Sequence, residues 1–118
     1  MLVSFNITNG ATPEGNLAVG PDGNLYGMTF LGGLYDEGTI FRYGTNGIFT
    51  NLVSFTMTNG AEPLESLVTG TDGCLYGTTL VGTNTTGSFS DGTVFKVTTN
   101  GALTTLAVFM GRRNMVGL

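Results

Sequence analysis

The chain has 118 residues, 41% of them hydrophobic, with 20 Gly, 8 Phe, 4 Tyr and a formal net charge of −4. That length allows one domain, and the aliphatic and aromatic content is that of a chain that packs a core rather than a disordered one. The basic residues form no cluster to displace counterions from phosphates, and no apolar run is long enough for a membrane-spanning helix, so neither nucleic acid nor membrane insertion is expected.

In chain order, residues 2–5 read as a strand, the last of a preceding unit. The N-terminus has no basic segment or long apolar stretch, and so no secretion signal is expected there. Residues 17–20 and 25–29 form a predicted hairpin around Pro21-Asp22-Gly23-Asn24, because the turn needs a positive φ that Gly adopts without steric cost. Residues 39–43 and 48–55 form a second hairpin across Gly44-Thr45-Asn46-Gly47. The same four pieces return at residues 67–70, 75–79, 93–97 and 102–109, and no window has a helical period.

The return is an internal repeat. Leu2-Val3-Ser4-Phe5 becomes Leu52-Val53-Ser54-Phe55, and Asp22-Gly23 with Leu25-Tyr26-Gly27 becomes Asp72-Gly73 with Leu75-Tyr76-Gly77, an offset of 50. Gly38-Thr39-Ile40-Phe41-Arg42 becomes Gly92-Thr93-Val94-Phe95-Lys96 at an offset of 54, so the second copy holds four extra residues within 82–91, a loop that tolerates length change. Four-stranded units with a period of about fifty residues are the pattern of β-propeller blades.

The expected fold is therefore all-β: two four-stranded antiparallel blades of a β-propeller, as a partial ring or an oligomerising unit. Residues 6–55 are blade 1, 56–109 blade 2 and 110–118 a non-repeat tail. A β-solenoid is the runner-up, but its repeats are shorter and lack two tight hairpins. Gly27 and Gly77 sit in mid-strand, where Gly marks a close approach, expected here from the neighbouring blade. Phe5, Tyr26, Phe41 and their counterparts would fill the space between blades.

The run Gly-x-Asp-Gly-x-Leu-Tyr-Gly-x-Thr over residues 70–79 is followed by Gly-Thr-Val-Phe-Lys-Val-Thr over 92–98, then Leu103-Thr104-Thr105-Leu106 and a closing Phe109. Together they resemble the GloVer tandem repeats of large surface and secreted proteins of environmental bacteria. The first copy matches with changes such as Met28 for Thr. The resemblance implies a propeller-like module, extracellular or on the cell surface, repeated many times in a row. It implies no activity, cofactor or ligand.

Two blades leave a stacking face open at each end, an apolar surface that invites association. The expected partners are copies of the same unit, either further repeats of a longer chain or the members of a homo-oligomeric ring closed head to tail. A self-contained two-blade unit with capped ends is the third possibility.

No histidine is present, so Ser-His-Asp, Cys-His and imidazole metal sites are absent. No phosphate-binding fingerprint occurs, and no cofactor or metal is expected. The lone Cys74 reads as a small buried hydrophobe in a strand. Asp22 and Asp72 read as turn formers rather than calcium ligands, and Arg42 and Lys96 as residues laying an aliphatic stem along the blade. Glu14, Asp36, Glu37, Glu62, Glu65 and Asp91 fall in the long loops, on the face opposite the tight hairpins. The candidate binding residues there are Tyr35, Asp36, Glu37, Asn84, Phe89 and Asp91, since an exposed aromatic beside carboxylates and amides can hold a sugar or peptide. A solvated acidic face that keeps the module soluble is the plainer reading. The functional expectation is a non-enzymatic binding or scaffold module. A propeller enzyme acting on carbohydrate through loop carboxylates competes with it, as does a gene fragment without selected function.

Overall fold

The computed structural model describes residues 10–57, 60–83, 89–90 and 92–109. They form nine strands: β1 (Ala11–Val19), β2 (Leu25–Leu31), β3 (Thr39–Tyr43), β4 (Phe49–Ser54), β5 (Ala61–Thr69), β6 (Leu75–Thr83), β7 (Phe89–Ser90), β8 (Thr93–Val97) and β9 (Leu103–Val108). Two antiparallel meanders result, β1-β2-β3-β4 and β5-β6-β8-β9, with β7 paired to the end of β6. The all-β, two-sheet expectation holds. The second sheet has five strands rather than four, because the insertion around residue 82 lengthens β6 and pairs it with a short return strand. The segments 2–5 and 110–118 lie outside the described residues.

The turns explain where the strands reverse. Gly23 and Gly73 adopt φ of 82° and 83°. The Asp22 carboxylate accepts the Asn24 backbone N–H at 3.1 Å and the Tyr26 hydroxyl at 2.6 Å. Asp72 does the same with the Cys74 N–H at 3.0 Å and the Tyr76 hydroxyl at 2.5 Å. Both aspartates thus form the turn, as expected of Asp before Gly. Cys74 belongs to this turn and is half-buried, not a core residue of a strand.

β1 and β5 begin six residues earlier than the sequence predicts, at Ala11 and Ala61 instead of 17 and 67. The register slips between Glu14 and Ala18, and again between Leu64 and Val68. Such a bulge absorbs residues that would otherwise end a strand, and Pro13 and Pro63 are tolerated because β1 and β5 are sheet edges. Glu14, Glu62 and Glu65, expected in loops, are therefore strand residues.

The sheets pack face to face around one core. Tyr26, Met28, Ile40, Val53 and Phe55 of the first sheet join Leu67, Leu75, Phe95 and Val97 of the second, with Ala18, Leu52 and Leu103 at the margin. Phe55 and Phe95 meet edge to face at 5.6 Å. Burying a side chain of this size stabilises by roughly 1.5–3 kcal/mol. Phe41 instead stacks on Phe49 at 5.4 Å. A Cβ on Gly27 would lie 2.5 Å from the Phe41 ring, and one on Gly77 2.6 Å from the Phe95 ring. Gly27 and Phe41, like Gly77 and Phe95, are cross-strand partners. The crowding therefore comes from a ring within the same sheet rather than from the neighbouring one. Beside these glycines the buried hydroxyls of Thr29 and Thr39 bond at 2.7 Å, and those of Thr79 and Thr93 at 2.6 Å, so each satisfies the other.

The seam between the sheets is closest at their first strands. β5 packs closely on β1 and β2, and no other pair of strands across the seam comes together to that extent. Here the Asn16 N–H donates to Ser66 Oγ at 2.7 Å and the Thr69 hydroxyl to the Val19 carbonyl at 2.8 Å.

Candidate functional site

The β2–β3 loop carries three of the residues singled out from the sequence. Asp36 sits at a φ of 56°, and its carboxylate accepts the Gly32 N–H at 2.8 Å, holding the loop closed. Tyr35, at the tip, is 58% exposed. The Glu37 carbonyl accepts the Glu62 N–H at 2.7 Å across the seam. One oxygen of the Glu37 carboxyl is buried with no hydrogen-bond partner. Gly38 follows, and a Cβ there would come within 2.5 Å of Pro63. Burial first, then the charges of Glu62 and Asp36, raise the Glu37 carboxyl above its ordinary 4.5. The structure therefore brings Tyr35, Asp36 and Glu37 together and adds Glu62, which reached them only because β5 starts early. Phe89 opens β7 opposite Thr83. Asn84 and Asp91 lie outside the described residues.

At the opposite end, Asp22, Asn24, Arg42, Thr45, Asn46 and Thr50 line an open polar concavity of about 370 Å³. Arg42 does more than cover the blade with its stem. Its guanidinium crosses the seam to the Thr99 carbonyl at 3.0 Å. Sequence reasoning missed this, although the recurrence of a long cation at positions 42 and 96 was the available signal.

The most extensive feature is the pair of outer sheet faces. On the second sheet Val68 is 65%, Leu106 49% and Phe109 52% exposed. On the first, Leu17 is 53% and Val19 63% exposed. Their counterparts one repeat away line the seam: Phe55 is 0% and Leu67 4% exposed, with Ala18 and Leu52 packed against the core. Equivalent positions thus recur in strand, turn and register. A profile of the Gloeobacter/Verrucomicrobia repeat matches residues 1–116. The chain belongs to that repeat family. No match was found among curated proteins or among solved structures.

In this pair of Gloeobacter/Verrucomicrobia repeats the electrostatics also recur. Burial alone would raise the Asp22 carboxyl, but the Tyr26 hydroxyl and the Asn24 amides outweigh it and hold it below its ordinary 3.8. The Tyr76 hydroxyl, then the Cys74 N–H, lower Asp72 in the same way. Tyr26 is raised above 10.0 by burial and by Asp22, and Tyr76 by Asp72 first and then burial. These groups hold a turn together.

Proposed function

We propose that the chain is a non-enzymatic scaffold module whose sheets are consecutive blades of a β-propeller array, displayed on or secreted from a bacterial surface. The observation that carries this is the contrast between Phe55, fully buried in the seam, and Phe109, 52% exposed on the outer face. The same surface is made twice and covered once, as a module built to stack requires. The closest packing of the two sheets at their first strands, β5 on β1 and β2, supports a propeller, whose blades crowd together at the strands around the central channel. Chains extended by further copies of residues 56–109 test it. Thermal stability rises with each added repeat until a ring of about four to eight blades closes, and small-angle scattering then reports an annulus. Scattering from a straight rod at every length would rule out the propeller, and a third repeat that adds no stability would rule out the scaffold.

Binding of a glycan or protein by the loop face is a second reading, favoured by the exposure of Tyr35 beside Asp36 and Glu37. Glycan-array binding that is lost in Tyr35→Ala supports it.

A further inference from the structure

The seam offers a pattern for what could cover the outer face of the second sheet. Within it, Arg42 on β3 reaches the Thr99 carbonyl in the β8–β9 turn. The same turn seats against β4, where a Cβ on Gly101 would lie 3.0 Å from the Leu52 carbonyl oxygen. One repeat on, Lys96 occupies the place of Arg42, Leu106 that of Leu52 and Phe109 that of Phe55. One repeat back, Thr45 and Gly47 of the β3–β4 turn occupy the places of Thr99 and Gly101. The two outer faces are therefore not alike, but each matches the other as the two sides of the seam do.

We propose that a second copy of this chain docks head to tail, its first sheet on the outer face of the second sheet, with the Lys96 ammonium donating to the Thr45 carbonyl of the incoming copy. This rests on the stacking reading above and extends it to a partner and to the group that sets its position. Val68, Leu106 and Phe109 meet Leu17 and Val19, so apolar surface exposed on both copies is removed from water. Lys96 supplies the cation that fixes how far the turn slides along the face, and an ammonium has donors enough for one carbonyl. Because the interface is heterologous, every docked pair still offers one free face of each kind.

Sedimentation equilibrium of the whole chain tests this, over about 1 μM to 1 mM, the range of weak to moderate affinities. The mass should rise above 12.3 kDa with concentration. Lys96→Met should weaken association about tenfold, the effect of losing one charge-assisted hydrogen bond, while Lys96→Arg restores it. Both variants should keep the circular dichroism and melting temperature of the dilute chain. Leu17→Asp and Phe109→Asp each spoil one face at an exposed position. Each alone should stay a monomer, and their equimolar mixture should form a complex of two chains and no larger. A mixture that stays monomeric, or a single variant that associates as the parent does, overturns head-to-tail docking. A parent chain that holds 12.3 kDa throughout overturns it as well. In that case a three-repeat fusion that still gains thermal stability leaves the scaffold reading standing, and one that gains none removes both.

Discussion

The two sheets repeat each other in turns, threonine pairs and ring-over-glycine packing, yet one has a covered face where the other has an open one. Phe55 is fully buried and Phe109 half exposed; Leu67 is 4% and Leu17 53% exposed. Equivalent positions in these two similar sequences thus differ in burial according to whether they face the seam. Stability in such a molecule divides into what a sheet makes within itself and what it gains from a neighbour, and paired substitutions at equivalent positions separate the two.

The largest contrast is expected at the closing phenylalanine. Phe55→Ala should cost about 3–5 kcal/mol by denaturant unfolding, whereas Phe109→Ala in dilute solution should cost less than about 1 kcal/mol. Equal losses would mean that burial in the seam is not what separates the sheets. Next comes the threonine pair. Thr39→Val leaves the buried Thr29 hydroxyl without its partner and should cost about 1–3 kcal/mol. Thr93→Val should cost less, because the Thr79 hydroxyl also reaches the Val81 carbonyl at 3.0 Å. Arg42→Met should lose about 1.5 kcal/mol with its charge-assisted bond across the seam, and Lys96→Met nothing measurable in the dilute chain.

The smallest effect belongs to Glu37. Its folded carboxyl titrates above the ordinary 4.5, so the fold holds that proton more tightly than the unfolded chain does. The resulting stabilisation is present below that value and lost as pH rises through the folded one. Glu37→Gln should therefore raise the melting temperature at pH 7 by the equivalent of less than about 0.5 kcal/mol, since solvent still screens the group. The gain should vanish below about pH 4.5. A gain that persists in acid would mean that charge is not its source.

The strands and tight turns were legible because they depend on neighbours in sequence: apolar alternation sets a strand, and Asp-Gly or Asn-Gly sets the reversal. β3 and β8 have the predicted bounds. The early starts of β1 and β5 were not legible, because a bulge lets a strand pass through Gly15 and Pro13, which locally read as breaks. The meeting of Glu37 and Glu62 followed from that miss, since it spans a loop and the seam. The repeat revealed that positions are equivalent but not which members of each pair are covered. Gly27 was recognised as crowded and its neighbour misassigned, because the pairing of Gly27 with Phe41 depends on register, which alternation alone leaves open.

The Asp22–Tyr26 and Asp72–Tyr76 bonds have a consequence in time. Each joins groups four residues apart, so closing it costs little loop entropy compared with contacts fifty residues distant. A turn can be held as soon as its own residues have left the ribosome, before the second repeat exists. Order of folding is then expected to follow order of synthesis, with the seam forming last. Asp22→Ala should accordingly slow refolding more than it speeds unfolding.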